Sequence, residues 1–522
     1  MFFKILVKHS AIIINDYNMG DCAILEKVFT IFDPINHSRF IYGLYYNEET
    51  KQLFIPRGVD IPYIEKLFGC VAHVSTTPDP YDHTDEIMIK YLPRDDAQKE
   101  TLDFMIGVTN AYKFTKFKSQ LAVNLPTGKG KSYCSIATMA FSRIRSIIIT
   151  SSINWLNQWE GYIYEYTDIK PREIFRLQGT PSIHSLLKKD MSQYKIILAS
   201  MDTIKSYGDK YGWDAVSELF IFMRIGYKFY DECHLNFETM AMIDYHTNTF
   251  KTFYITATPA RSSEAEHNIY KLYFKNIPAI DLFDAEEDPH THYISFRYKS
   301  LPTAEEKSNC RGRFKLDRNK YTEYLLNKPN FYKMIKIIIH HAMMMNGKCL
   351  IYIGTNNAIL KIKSWLEFNY PELRGQIGVY TSIITENKDL ELEKKIILST
   401  TKSCGPAMDI KNLKMTVVLA EPFKSDVTAV QTLGRTRDNN TYYIEVVDDS
   451  FNTITDYYRQ KHFIISKYAL DMQEVKFSDR DLNFKVEQVT MDRLNKLYPI
   501  INGLRTVYYK TDLKTVYTRV GI

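Results

Sequence analysis

The stretch Leu121-Ala-Val-Asn-Leu-Pro-Thr-Gly-Lys-Gly-Lys-Ser132 decides how the chain is read. Leu121–Leu125 is apolar enough for a buried strand, a glycine-bearing loop follows, and a helical pattern starts after it. Gly128 and Gly130 let the backbone of the Thr127-Gly128-Lys129-Gly130 loop curl with its N–H groups inward, as a phosphate requires. Lys131 has the reach for β- and γ-phosphates, Ser132 is a ligand for Mg2+, and the helix N-terminus behind them favours anions. The strict G-x-x-x-x-G-K-[ST] pattern is broken, because Leu125 stands where the first glycine belongs, but the shorter P-T-G-x-G-K-[ST] form is intact. A surface turn rich in Gly and Lys is the plain alternative. The strand before and the helix after favour the nucleotide reading.

About a hundred residues later, Tyr-Lys-Phe-Tyr-Asp231-Glu232-Cys233-His234 places two carboxylates at the end of an apolar run. Asp231 suits Mg2+, Glu232 suits orienting and deprotonating a water, and His234 suits sensing a γ-phosphate. Strand patterns at Leu121–Leu125, Ser146–Thr150, Lys195–Ala199, Tyr227–Tyr230 and Thr252–Thr256 alternate with helical segments, which argues for a parallel sheet covered by helices. A second series runs through Cys349–Ile353, Gly378–Tyr380, Lys395–Ser399, Thr416–Leu419 and Tyr442–Val446, with a polar, irregular stretch Pro289–Lys320 between. The front reads as a small α+β module: a strand over Lys4–Ile14, a helix over Asp21–Phe32, strands at Arg39–Tyr46 and Gln52–Pro56, and a short helix to Phe68. Ser75–Thr84 reads as a linker. The expected domains are 1–85, 86–290, 291–470 and a C-terminal extension 471–522.

The 522 residues carry a formal charge of +6. Residues 1–90 hold eight Lys/Arg against twelve Asp/Glu, so the basic excess sits on the middle of the chain, where an anion-binding surface is expected. The seven Cys show no metal-ligand spacing and read as reduced thiols. No run approaches the ~18 apolar residues of a membrane span. With no targeting segment recognised, the expected location is the cytoplasm, that of the host if a phage encodes the chain. The 38 Tyr residues fit cores, interfaces and stacking platforms alike.

Taken in order, the motifs resemble those of superfamily 2 DExH helicases and translocases. Leu92-Pro-Arg94-Asp-Asp-Ala-Gln98 is similar to the adenine-reading glutamine motif, and Thr127–Ser132 to motif I. Thr150-Ser151 with Gln158-Trp159 resembles motif Ia, Gly179-Thr180 and Ser200–Thr203 the next two, Asp231–His234 motif II and Thr256-Ala-Thr258-Pro motif III. Gly354-Thr355 resembles motif IV, Thr401 with Gly405 and Asp409 motif V, and Gln431-Thr-Leu-Gly434-Arg435-Thr-Arg437 motif VI. The resemblance implies two RecA-like domains in tandem behind the α+β module, ATP and Mg2+ as cofactors, and ATP in a cleft between the domains. It also implies nucleic-acid contacts at Thr150, Ser151, Gly179, Thr180, Thr355 and Thr401, coupling through Thr256 and Thr258, and arginines acting on the γ-phosphate. Motif VI departs from the usual pattern, since Asp438 replaces its last arginine. Arg435 is in register, and Arg437 is either a shifted finger or a surface residue.

The front module most resembles that of UvsW-type phage helicases, through Arg39-Phe-Ile-Tyr-Gly43 and Leu53-Phe-Ile-Pro-Arg57-Gly58. Lys51, Arg57 and Lys66 form a basic patch there or are solvated surface charges. The expected partner is DNA with little sequence preference, ahead of RNA. An RNA helicase and a binding factor with a vestigial motor are the alternatives. Trp155 and Trp159 are assigned to the core rather than to base stacking.

Overall fold

The structure is a computed structural model. It describes residues 4–32, 40–125, 129–233, 235–256, 270–282, 291–312, 316–384, 388–404, 410–423, 426–433, 441–466 and 469–477. The chain divides into two units, Met1–Ala285 and Glu286–Ile522.

The first unit starts with strands β1 (Ile5–Val7), β2 (Ala11–Asn15), β3 (Thr30–Phe32), β4 (Phe40–Tyr42), β5 (Tyr45–Asn47), β6 (Gln52–Pro56) and β7 (His73–Val74). The expected single strand over Lys4–Ile14 is a hairpin, because the polar Lys8-His9-Ser10 turns the chain and Lys8 N–H bonds back to Ala11 at 2.8 Å. Five of these strands form a mixed sheet in the order β5-β6-β2-β1-β7. Its two faces explain the unbroken apolar run of β2. Ile12 and Ile14 pack with Ile5, Val7, Leu53 and Ile55 in a core of the module itself. Ala11, Ile13 and Phe54 point the other way, as the two-residue period of a strand requires, into the core of the α/β domain that follows.

That domain carries β8 (Gln120–Asn124), β9 (Ser146–Thr150), β10 (Ile174–Leu177), β11 (Ile196–Ser200), β12 (Tyr227–Asp231), β13 (Lys251–Thr256) and β14 (Ala279–Asp281). All pair in parallel, in the order β10-β11-β9-β12-β13-β8-β14. The front module docks on it closely. Tyr245 hydroxyl donates to Gly43 O at 2.9 Å, and the His246 ring stacks on Phe54 and Trp213 with centroids 5.3 and 5.6 Å away. Burial pushes this imidazole down to about 4. At Gly58 a Cβ would lie 2.0 Å from Tyr273 O, so only glycine allows that approach. Ser75–Thr84 is pinned along its length rather than hanging as a tether. Ser75 N–H bonds to Val7, Asp79 N–H to Asn248 and Thr84 N–H to Arg143, while Asp82 bridges Arg145 at 2.6 Å and Arg224 at 2.9 Å. Arg57 is half-buried, so of the three basic residues considered there only Lys51 and Lys66 are exposed.

Beneath the sheet of this first α/β domain lies a buried polar cluster. Asp244 accepts from Tyr230 at 2.8 Å, from Tyr254 at 2.6 Å and from Tyr273, and its partner Lys228 sits 2.6 Å away. Both charged side chains are fully buried. Burial pushes the Lys228 ammonium down, and Asp244 acts against that.

The second unit holds β15 (Thr291–Tyr298), β16 (Lys348–Ile353), β17 (Ile377–Tyr380), β18 (Ile396–Ser399), β19 (Leu413–Ala420), β20 (Thr441–Asp448) and β21 (Ala469–Lys476). The sheet is again parallel, in the order β17-β18-β16-β19-β20-β15-β21. The stretch expected to be irregular therefore supplies β15, an inner strand paired on both sides, between β20 and the edge strand β21. Its polar residues find partners inside: Tyr293 donates to Glu445 at 2.7 Å, and Arg297 pairs with Asp449 at 2.6 Å and Glu474 at 3.0 Å. Two parallel-sheet α/β domains and a small mixed sheet are thus the architecture. Among the described residues, no helix is long and apolar enough to cross a membrane.

Candidate nucleotide and nucleic-acid site

Because β8, β9, β12 and β13 run in parallel side by side, their C-terminal ends share one edge of the sheet. Ligands of open α/β sheets bind at that edge. The loops leaving it carry most of the residues singled out in the first unit.

Lys131 opens the helix Lys131–Ser142, and Ser132 follows in its first turn. Gly130 before it has φ 87° and ψ 28°, a left-handed conformation natural to glycine. Space demands glycine as well, since a Cβ at 130 would lie 2.2 Å from Gln98 Nε2. Gln98 is held in turn. Its Oε1 accepts from Arg94 N–H at 2.8 Å, and its own N–H donates to the helix cap Asp95 at 2.8 Å. Arg94 is exposed and its guanidinium lies 3.1 Å from Asp95. The glutamine motif and the phosphate loop are therefore in direct contact.

Across the edge, Lys131 Nζ lies 3.3 Å from Glu232 Oε1, with only 12% and 2% of the two side chains exposed. Glu232 has φ 50°, a backbone state that costs a non-glycine residue about 1–3 kcal/mol. Its turn is held by Cys233 N–H on Ile255 O at 3.0 Å and Leu235 N–H on Glu232 O at 2.8 Å. Asp231 ends β12, and its Oδ2 accepts a 2.8 Å bond from Trp159 Nε1. Burial, and then the Glu232 carboxylate, push the Asp231 carboxyl upward. Thr256 is buried at the end of β13, and its carbonyl accepts from Leu125 N–H at 3.1 Å, which ties β13 to the phosphate loop.

Thr150 and Ser151 leave β9 at the same edge, with Thr150 Oγ1 donating to Ser152 O at 2.8 Å. Gly179 has φ 76°, and its N–H donates to Thr203 Oγ1 at 3.0 Å just before the helix that Thr180 opens. In the second unit, Thr355 caps the helix Asn356–Asn369 by accepting from Ala358 N–H at 3.1 Å, the ordinary structural use of such a hydroxyl. Thr401 bonds through N–H and hydroxyl to the two oxygens of Glu421, a carboxyl raised by burial. Gln431 lies on the helix Asp426–Leu433. Thr127, Gly128, His234, Thr258, Gly405, Asp409, Arg435 and Arg437 fall outside the described residues, as does the Gln431 side chain.

Trp159 and Thr203 stand within quoted motifs, but their hydrogen bonds to Asp231 and Gly179 were not anticipated, nor, in the second unit, was the anchoring of Thr401 by Glu421. Trp159 sits in the core as expected, at 3% exposure, but its indole N–H has a second role. A tryptophan on the helix that follows one strand, in a domain with a carboxylate at the end of the neighbouring strand, is the signal that could have found it.

The family described as "Type III restriction enzyme, res subunit" matches residues 93–261. Among solved structures, S. cerevisiae Dbp5 bound to RNA and ADP BeF3 is similar over 78% of this chain and 93% of that one, at 13% identity and a TM-score of 0.52. That likeness is one of fold alone: two parallel-sheet α/β domains in tandem. T4 UvsW aligns over 91% of this chain and 100% of its own, at 16% identity and a TM-score of 0.35. A fragment of a putative HsdR subunit of a type I restriction enzyme from Vibrio vulnificus aligns over 76% and 70%, at 13% identity and a TM-score of 0.49. No curated protein matches the chain. The family match covers Thr127–Ser132, both carboxylates, Trp159 and Thr256–Pro259.

Proposed function

We propose that the chain is an ATP-driven DNA helicase or translocase of the DExH form, most like the UvsW type, that unwinds, branch-migrates or anneals DNA in the host cytoplasm during phage replication or recombination. Residues 86–290 and 291–470 serve as its two motor domains, 1–85 as a front module and 471–522 as an extension. The observation that carries this reading is the contact of Lys131 with Glu232, beside an Asp231 oriented by Trp159, at the strand edge that also presents Thr150 and Ser151.

In this reading Lys131 and the loop Thr127–Gly130 bind the phosphates, and Arg94 and Gln98 hold the adenine. Glu232 orients a water and takes its proton, with His234 beside it. The donor set fits Mg2+. Ser132 and Asp231 offer hard oxygen donors, and the buried, doubly acidic surroundings of Asp231 are those a divalent cation relieves. When bound, the ion neutralises charge on the phosphates. Arg435 and Arg437 supply positive charge to the leaving γ-phosphate, Gly405, Asp409 and Gln431 complete the nucleotide contacts, and Thr256 and Thr258 couple the cycle to the strand. Thr150, Ser151, Gly179, Thr180, Thr355 and Thr401 hold phosphates of the nucleic acid without reading its sequence. A vestigial motor would have no use for the buried Lys131–Glu232 pair.

The test is ATP hydrolysis measured with single-stranded, duplex, forked and four-way DNA and with RNA. Stimulation by DNA, with log affinity falling linearly against log salt, is the expected result. Stimulation by RNA alone would replace DNA as the substrate, and no hydrolysis with any polynucleotide would sink the motor reading. Trp159→Phe keeps an aromatic ring in the core but removes the N–H on Asp231. It should lower hydrolysis roughly 10–100-fold, the usual loss when a ligand's supporting hydrogen bond is cut. ADP should bind it normally without Mg2+ but lose most of its Mg2+-dependent tightening. An unchanged Mg2+ response would show the bond to be packing only.

A further inference from the structure

The segment Lys113-Phe-Thr-Lys-Phe-Lys118 is not used by the site described above, and its arrangement is unusual. It forms a 3-10 turn over Lys113–Phe117 just before β8. Since the phosphate loop leaves the far end of β8, this turn sits at the opposite edge of the sheet. Phe117 is 79% exposed and Phe114 49%, with Val108 nearby in the chain at 58%. Lys113, Lys116 and Lys118 are exposed around them, and none forms an ion pair with a described residue.

Two bare phenylalanines on a loose loop would mean little, but this turn is held from below. Thr115 is fully buried, and its hydroxyl donates to Phe104 O at 2.7 Å and Tyr112 O at 2.8 Å. The Lys251 ammonium reaches up from β13 to Thr115 O at 3.0 Å. It is pushed down to about 8 by burial and then by the charge of Lys116. Gly107, at φ 74°, lets the preceding helix end against the turn, where a Cβ would lie 2.8 Å from Lys116 N. Glu100 on that helix is tied to the Tyr112 hydroxyl at 2.6 Å. The result is a rigid mount that presents aromatic rings between cations.

We propose that Lys113–Lys118 is a second nucleic-acid contact, a platform on which bases of a single strand stack on Phe114 and Phe117 while Lys113, Lys116 and Lys118 hold its phosphates. Interleaved aromatics and lysines match the repeat of base and phosphate along a single strand. An acidic protein surface would pair with the lysines but has no regular alternation of flat group and anion to match the rings and cations. The platform rests on the proposed nucleic-acid motor and adds to it a contact on the edge away from the nucleotide.

The test is fluorescence anisotropy of labelled oligo-dT with the full chain, its Phe114→Ala/Phe117→Ala variant and its Lys113→Gln/Lys116→Gln/Lys118→Gln variant. Loss of one stacked base weakens binding roughly 5–150-fold, so the aromatic variant should lose at least about tenfold in affinity with its salt slope unchanged. The lysine variant should flatten the slope by about 2–3. ADP binding should match wild type in both variants. Photo-crosslinking of oligo-dU to the unaltered chain should label residues 113–118, and labelling only elsewhere overturns the platform. If wild type binds oligo-dT and both variants bind it equally well, the platform is wrong and the patch serves a protein partner, while the motor reading stands. If wild type binds no polynucleotide, both readings fail.

Discussion

Glu232→Gln is expected to abolish turnover while ATP still binds near the wild-type level. The substitution keeps size and shape, and the amide oxygen still accepts from Lys131, whose ammonium lies 3.3 Å from Glu232 Oε1. It also leaves the φ 50° turn unchanged. What disappears, in the proposed reaction, is the group that takes the proton from water. Loss of a positioned base slows such a step roughly 10²–10⁴-fold. Lys131→Ala should also stop turnover, but for a different reason: the phosphates lose their cation, and the buried Glu232 carboxylate loses its partner. Nucleotide affinity should therefore drop in the lysine variant and hold in the glutamine variant. Steady-state hydrolysis alongside binding of a fluorescent ADP separates the two. A glutamine variant that turns over within a few-fold of wild type would remove Glu232 from the chemistry.

Asp244→Ala should be the most destabilising single change in the first unit. It leaves the Lys228 ammonium, with no exposed surface, without its counter-charge 2.6 Å away. Breaking one side of a buried pair costs about 3–5 kcal/mol. The hydroxyls of Tyr230, Tyr254 and Tyr273 also lose their acceptor, at about 1–3 kcal/mol for each one left unsatisfied. Replacing both charges, as Lys228→Met with Asp244→Leu, should recover part of the loss, because no bare charge remains. It should not recover all of it, since the three hydroxyls stay unpaired. Urea unfolding of the wild type and the two variants measures this. The double variant being no more stable than Asp244→Ala would mean that the tyrosine hydroxyls, rather than the ion pair, dominate. Lys228 and Tyr230 lie on β12, three residues and one residue before Asp231, so the cluster also anchors the strand from which the site carboxylates emerge.

The parallel sheets were legible because their strands are short, apolar on both faces and bounded by polar turns. Ser146–Thr150 has its observed limits, and the other strands anticipated in the first α/β domain differ by one residue at one or both ends. The stretch around β15 was misread because Thr291-His-Tyr-Ile-Ser-Phe-Arg-Tyr298 looks half polar, and its partners Glu445, Asp449 and Glu474 come from segments some 150–180 residues away. Local pattern carries no trace of such pairing. The same holds for the tyrosines, ambiguous in composition. Tyr230, Tyr254, Tyr273, Tyr293 and Tyr443 are buried core fillers, several with hydroxyls that satisfy buried carboxylates. At the site, the loop and the two carboxylates were readable from residue order. The Trp159 bond, the Thr203 brace and the Glu421 anchor were not, because each joins separate motifs in space.

The two-faced strand β2 bears on how this chain can vary in descent. A domain joined by a tether can be lost, swapped or acquired as a cassette, leaving its neighbour intact. Here Ala11, Ile13 and Phe54 complete the interior of the first α/β domain, so losing residues 1–60 would open that interior to water. Lineages that carry this α/β domain should keep the front module even where its surface diverges. Substitutions at Ala11, Ile13, Phe54, Gly58 and His246 should be inherited in compensating sets.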